Sequence, residues 1–474
     1  MKIKTKSNLV IAILTLAMML GVFTLVVGTT RGDYSQVVIV EPSGGDDTAA
    51  IQEAFDSAGP GDTIQLTAGQ YRTNTIIVEG FCGRFKGSGI GVTKIDVYNE
   101  LTPDPINGIT TLFKFDGGDI HISDLSFDIS PDTPYLDDIV WFTGTVNSKI
   151  TRVKFTGHQG TYQDQYDPEI YWNVYTAISI AGMPEVPDGY TTGKHSITKC
   201  EFDSVVIGIE TWGLVDGELK VGGKCSGNTF TGGSLGIRMW NMVNSKIEIS
   251  YNYIESLIRA CVYVIQRFLP NMWPASWPIM SSEWFITHNS LYTFFGADAI
   301  ILYDFYVDYG SWEPSIEAEI SHNHIILNNE EWGGMVIIGV DDALISDNVI
   351  TGVGDYGIDL WFCNNLKILG NRIQIDAIGT IGNEWYSFYG MSLCYGFNNV
   401  IAFNIISHKE ADGLFVLSSN ENLVLGNLIK DNGGYGLNLG ASNDNRIIAN
   451  VFYNNFLGNI FDDGTNIYWW NWEN

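Results

Sequence analysis

Charge is scarce in this chain. Only 17% of its 474 residues are charged, and the basic ones are fewest, with 25 Lys and Arg against 54 Asp and Glu and a net charge of -29. Nucleic acid is therefore excluded as a partner, because a phosphate backbone demands a basic surface. Proline is sparse at 13 residues and histidine at 7, while 45% of the chain is apolar. Disorder needs low hydrophobicity and high charge, so it is excluded as well. The six cysteines, Cys82, Cys200, Cys225, Cys261, Cys363 and Cys394, form no CxxC pair or other metal-ligand spacing. They read as small core-filling residues ahead of disulfide partners. His322-x-His324, with His288 upstream, offers at most a histidine pair without a third ligand, so no metal site is expected.

Glycine, by contrast, is abundant at 52 residues, which suits short strands joined by tight turns. Lys2, Lys4 and Lys6 precede an uncharged apolar run from Leu9 to Gly28. This pattern is a signal peptide or, given its length, an N-terminal membrane anchor. Either way Thr29 onward lies outside the cytoplasm.

A repeat organises the rest. An x-N-x-[apolar] unit places Asn at 228, 252, 289, 323, 348, 371, 404, 427 and 450, so the short spacings are 23 to 25 residues. Between these positions sits a second unit, G-[apolar]-x-[apolar]-x, as in Gly208–Trp212, Gly236–Trp240 and Gly357–Trp361. Alternation over five residues is a strand signal. One repeat cannot bury its apolar side alone, so repeats must stack as coils about 4.8 Å apart. The recurring Asn then falls at one corner and forms a hydrogen-bonded ladder. Earlier turns without the Asn are seen at Ile120–Phe127, Ser148–Phe155 and Ser196–Phe202. Asp47-Thr48 is placed to N-cap a helix from Ala49 to Ala58, with Ile51 and Phe55 on one face. The aromatic tail at 466–474 is placed to cover the last coil.

The stretch from Asp46 to Tyr71, DDTAAIQEAFDSAGPGDTIQLTAGQY, resembles the opening of the pectate lyase superfamily, and Phe85–Ile95 resembles its next turn. The later Asn repeats resemble generic right-handed β-helix repeats, and also the β-helix proteins that help mature the copper site of nitrous oxide reductase. The resemblance implies an all-β fold: a single-stranded, right-handed parallel β-helix with an N-terminal capping helix. The plan is a targeting segment at 1–28, a linker at 29–45, the β-helix at 46–465 (start at 46–100, repeats at 110–460), and the tail. The N-T-D, G-H-G and R-I-K motifs of this fold's polygalacturonase-type hydrolases are absent, as are the W-x-D-H and R-x-P-x-x-R motifs of pectate lyases. No catalytic residue carries over.

A site is sought instead on the outward positions of the glycine-led strands. Glu210, Arg238 and Asp359 occupy the first slot, and Trp212, Trp240, Tyr303 and Trp361 the second. Aromatic-rich insertions at 157–175, 269–282, 306–313 and 376–389 would flank them as a groove. Rings among polar groups suit a sugar chain. Trp packed under loops and a simple Glu210–Arg238 ion pair are the bland equivalents. Glu210 and Asp359 are about five coils, roughly 24 Å, apart, too far for a hydrolytic pair. Any chemistry would therefore be β-elimination on a uronate. Arg238 would neutralise the carboxylate, Tyr263 would abstract the proton, and Asp304 would bind a cation such as Ca2+ or orient the base. The leading expectation is an extracytoplasmic protein that binds or cleaves a polysaccharide or cell-surface glycan. The alternatives are a non-enzymatic surface or adhesion protein and an accessory factor for metal-site maturation.

Overall fold

A computed structural model describes residues 35–473, apart from 106–107, 159–161, 164–170, 182–190, 268–281, 295, 306–315, 329–331 and 377–387. The targeting segment at 1–28 lies outside the described residues. Among those described, no helix is long and apolar enough to cross a membrane.

The alternating apolar segments form strands that pair in parallel with their equivalents one coil on, giving a right-handed parallel β-helix. Each regular coil carries three strands. In one coil these are Tyr356–Trp361, Lys367–Leu369 and Arg372–Ile375, and in the next Tyr389–Cys394, Val400–Ala402 and Ile405–His408. Inward residues such as Ile358, Leu360, Ile368 and Ile373 are fully buried in one continuous core. Upstream, the inward column that later coils fill with Ile254 and Leu291 carries a ring stack. Phe127, Phe155, Phe202 and Phe230 follow one another at centroid distances of 5.2, 5.2 and 4.4 Å.

The Asn ladder is continuous. Asn228 Nδ2 donates to Asn252 Oδ1 at 3.0 Å, and the same step repeats through Asn289, Asn323, Asn348, Asn371, Asn404, Asn427 and Asn450 to Asn471. Each Oδ1 also accepts the backbone N–H of the preceding Asn, so the corner leaves few buried polar groups unpaired. A second ladder, Asn399–Asn422–Asn445–Asn466, occupies another corner and was not anticipated.

Three expectations need correction. The first strand, Val37–Val40, lies within the stretch read as a linker and pairs with Thr63–Leu66. The capping helix runs Thr48–Ser57 and buries Ile51 and Phe55, but the Asp47 side chain does not cap it. That carboxylate instead accepts from Ser43 N at 2.7 Å and Arg72 N at 3.0 Å, tying the helix start to the neighbouring coil. Finally, the aromatic tail does not cover the last coil. It is the last rung: Ile467–Trp469 and Trp472–Glu473 pair with the preceding coil, and Trp469, Trp470 and Trp472 remain exposed. The tail extends the Asn spacing through Asn466 and Asn471, which selects pairing over capping.

Four of the six cysteines, Cys200, Cys261, Cys363 and Cys394, are buried, and all six carry free thiols. Cys200, Cys261 and Cys363 each contact backbone carbonyls, and burial pushes their thiols far above the ordinary range.

Candidate functional site

The outward slots line up as the alternation requires. The first reads Glu210, Arg238, Tyr263, Ile301, Val336, Asp359, Ser392 along the sheet. The second reads Trp212, Trp240, Ile265, Tyr303, Ile338, Trp361, Cys394. Tyr263 therefore sits directly beside Arg238. Asp304 does not join them. It follows Tyr303 on the strand Asp298–Phe305, so it alternates to the opposite side, is buried, and pairs in register with Gln266. A cation-binding or base-orienting role beside Tyr263 is not available to it there.

Arg238 and Glu210 form a buried ion pair, with side chains 10% exposed each and Nη2 to Oε1 at 2.6 Å. Arg238 Nε donates to the same oxygen at 3.0 Å, and Nη1 donates to Tyr175 OH at 3.1 Å. Its guanidinium also lies over the rings of Tyr175 and Trp240, 5.4 and 5.9 Å from their centroids. Burial opposes the Arg238 charge, but Glu210 and Tyr175 more than offset it and hold its pKa up. Two strands away, burial and then the Glu210 charge push the carboxyl of Asp138 well above the ordinary range. Thr176 Oγ1 donates to Glu210 Oε2 at 3.3 Å.

The rings form a partial platform. Trp212 and Trp240 stack at 5.5 Å and 14°, both half-buried. Tyr263 and Tyr303 meet edge to face at 6.2 Å. These tyrosines pack against a satellite apolar cluster of Trp172, Val206, Ile207, Leu235, Ile258, Ala260 and Ile301. Part of the face is thus covered, as the bland reading of these rings requires. Most of the inserted loops expected to flank the groove lie outside the described residues. From the first insertion, Trp172 is buried and its Nε1 donates to Gly232 O at 3.1 Å.

A second polar cluster surrounds Asp359. Its Oδ2 accepts from Trp361 Nε1 at 2.8 Å and its Oδ1 from Ser392 Oγ. Burial raises its pKa despite these donors. Nearby, Asp298 was not picked out from the sequence. It is fully buried and accepts from Tyr356 OH at 2.7 Å and Gly333 N at 2.9 Å. Its Oδ2 has no hydrogen-bond partner among the described residues. Burial, then the opposing effect of those two donors, then the Asp359 and Asp355 charges leave its pKa at about 7. Tyr356 reaches Asp298 across Gly333, where a Cβ would stand 2.2 Å from its ring. No local sequence signal marks a contact between residues 58 positions apart.

His322 and His324 do not share a strand. His322 is in a turn with φ of 56°, and the strand begins at His324. His322 instead meets His288 at a ring distance of 4.7 Å, with Asp347 Oδ2 3.9 Å from its Nδ1. Among the described residues, no three His, Cys, Asp or Glu side chains form a metal-binding group.

Residues 312–474 match the model of a family described as periplasmic copper-binding protein (NosD). No curated protein matches the chain in sequence. Among solved structures, the chain is similar to the A-module of the Azotobacter vinelandii mannuronan C-5 epimerase AlgE6, at 13% identity and a TM-score of 0.37, over 90% of this chain and 95% of that one. It is also similar to a DFA-IIIase from Arthrobacter chlorophenolicus A6 without its lid, at 14% identity and 0.44, over 80% and 88%. A third is the Dettilon tailspike protein, at 14% identity and 0.45, over 80% and 68%. At such identities the likeness concerns fold alone, and the fold already follows from the strand register.

Proposed function

We propose that this protein binds a polysaccharide outside the cytoplasm, along the outward face of the sheet that carries Trp212, Trp240, Tyr303 and Trp361. The observation that carries the reading is one column in which four half-buried rings recur, interrupted by Ile265 and Ile338, beside a second column with polar Glu210 and Arg238 at one end and Asp359 at the other. Ring faces take the C–H side of a sugar, and the adjacent polar row takes its hydroxyls. The Lys2–Gly28 pattern supports the location. Binding is better supported than uronate β-elimination. Elimination needs a cation free to neutralise the substrate carboxylate, and Arg238 is already committed to Glu210.

A panel of immobilised polysaccharides tests the proposal. The parent protein should retain at least one of them, and Trp240→Ala should weaken that binding by about 1 kcal/mol with little change in melting temperature. A sharply lowered melting temperature with no glycan bound by the parent would return these rings to the covered core and favour a spacer or adhesin.

A second reading, handling of a metal ion, is supported by the similarity of residues 312–474 to a copper-binding family and by the His288–His322 pair. Copper titration of the parent and His322→Ala proteins tests it: equal, weak uptake by both would remove it.

A further inference from the structure

We propose that the second sheet of the solenoid carries a separate site for an acidic polysaccharide, on a strip of unpaired cations formed by Arg84, Lys86, Lys149 and Lys199 in the first coils. The strip lies on a different sheet from the ring column. The inference therefore goes beyond the binding proposed above and does not depend on it.

The strip follows from strand register. At the start of the chain the second strand of each coil is Cys82–Lys86, then residues 119–123 and 147–151 within the long strands Thr111–Asp128 and Leu136–Thr156, then Lys194–Thr198. Every other residue of such a strand points outward. One outward row then reads Arg84, His121, Lys149 and Ser196. Lys86 stands two residues beyond Arg84 on the same strand. Arg152 and Lys199 follow the paired residues Thr151 and Thr198, so they share the next corner in consecutive coils. Arg84, Lys149, Arg152 and Lys199 are exposed, and Lys86 is half-buried. All residues of these strands, and of the corners that follow them, are among those described.

Pairing separates the strip from the other cations of this sheet. Asp124 binds Arg152 through Nε at 2.5 Å and Nη2 at 2.8 Å. Lys194 meets Glu218 at 2.7 Å, and Lys220 meets Glu248 at 2.9 Å. Among the described residues, no carboxylate lies within ion-pair distance of Arg84, Lys86, Lys149 or Lys199. Asp119, exposed in the adjoining row, offsets one of these four charges. His121 registers the field that remains. Burial first, and then the charges of Lys149, Arg84 and Arg152, hold its pKa below the ordinary imidazole value, with Asp124 opposing them. The potential over the row is thus positive on a chain whose net charge is -29. Cations in a row repel one another, and an anionic ligand relieves that repulsion.

The row also gives the ligand its shape. Arg84 and Lys149 stand two coils, about 10 Å, apart on one line along the solenoid axis. A linear chain with a carboxylate on each sugar carries its charges along a line. Arginine takes such a group with a planar fork and lysine takes it as a point charge. Asn147 in one flanking row and Thr198 in the other offer polar groups to the sugar hydroxyls. An extended anionic surface such as a membrane would meet the acidic remainder of the protein as well, whereas a single chain can follow one row.

Biolayer interferometry of the full chain on immobilised polygalacturonate and on neutral dextran, at low and high salt, tests the assignment. The parent should bind polygalacturonate in preference to dextran, and less tightly at high salt. Arg84→Gln combined with Lys149→Gln should weaken that binding about tenfold, as loss of two exposed charge contacts predicts, with unchanged melting temperature. Lys367→Gln removes a cation far down the same row and should leave binding as it is. Equal losses from Lys367→Gln and from the double substitution would overturn the site. So would polygalacturonate binding that falls in Trp240→Ala but not in the double variant. Stronger retention on phosphatidylglycerol vesicles than on polygalacturonate would overturn the polysaccharide in favour of a membrane. A parent that binds polygalacturonate no better than dextran would overturn the inference whatever the ring column binds.

Discussion

Replacing Asn404 with leucine isolates the contribution of the ladder. Asn404 sits mid-ladder and is fully buried. Its Oδ1 accepts from Asn371 N at 2.8 Å and Asn371 Nδ2 at 3.0 Å. Its Nδ2 donates to Ile368 O at 2.9 Å and to Asn427 Oδ1 at 3.0 Å. Leucine keeps the branch at Cγ and removes all four bonds. Two of the four bereaved groups keep another partner: Asn371 Nδ2 still reaches Ile345 O, and Asn427 Oδ1 still accepts Asn404 N. Asn371 N loses its acceptor. One orphaned buried amide costs about 1–3 kcal/mol and each of the other lost bonds about 1, so the loss is roughly 4–6 kcal/mol, reduced by 1–2 through the added apolar burial. Asn471→Leu is the control. It makes the same kinds of contact at the partly buried last rung, where water replaces them, and should cost about 1 kcal/mol. Because a solenoid need not unfold in one step, hydrogen exchange at the Asn371 amide is the sharper assay, supported by urea midpoints. Exchange at Asn371 should accelerate by several orders of magnitude in Asn404→Leu and hardly change in Asn471→Leu. Equal effects of the two substitutions, or an Asn404→Leu midpoint close to the parent's, would refute the reasoning.

Glu210→Gln should destabilise by about 3–5 kcal/mol in thermal or urea melts, because it replaces the carboxylate facing the buried Arg238 guanidinium with a neutral amide, whereas Glu210→Gln combined with Arg238→Met should recover most of the loss. Asp298 supplies a pH signature: its folded pKa of about 7 is above the unfolded value, so its contribution is fully present near pH 4 and is lost as pH rises through 7. Asp298→Asn keeps the carbonyl acceptor for Tyr356, so stability relative to the parent should rise by a few kcal/mol between pH 4 and 8, and a constant difference across that range would exclude the raised pKa. His408 works in the opposite sense, since burial lowers its pKa to about 4; its contribution is present above 6.5 and lost as pH falls through 4, so His408→Gln should flatten the acid limb of the parent's profile.

The parts of the structure legible in the sequence are those that repeat. A corner that recurs every 23 residues must place Asn371, Asn404, Asn427 and Asn450 in line, because only stacked coils bury their apolar sides. Strand alternation also places Trp212 over Trp240, whereas at 260–267 it leaves the register open, and the observed pairing of Tyr263 with Arg238 is the one-residue shift of that register. The same rule separates Tyr303 from Asp304, since consecutive residues face opposite ways, and grouping Asp304 with Tyr263 overlooked it. The tail was misjudged because its tryptophans outweighed Asn466 and Asn471, which continue both ladders. What period and alternation do not encode is contact across coils. Tyr356 meets Asp298 only because Gly333 between them lacks a side chain.

The Asn ladder also gives the solenoid a direction. In its Asn-to-Asn bonds, every rung of the ladder from Asn228 to Asn450 donates to the C-terminal coil and its Oδ1 accepts from the N-terminal one, while the second Nδ2 hydrogen goes to a backbone carbonyl. The dipoles therefore add head to tail, and each bond polarises the next in the low dielectric of the corner. The coils are interchangeable in sequence but not in sense. Removing residues 405–427 would bring Asn404 into the place of Asn427, facing Asn450 with donor and acceptor correctly matched, because both intervals are 23 residues. A coil inserted with its amide reversed would set carbonyl against carbonyl on one side and N–H against N–H on the other. The length of this protein is thus adjustable in whole turns, while its polarity is fixed by the amide at every rung.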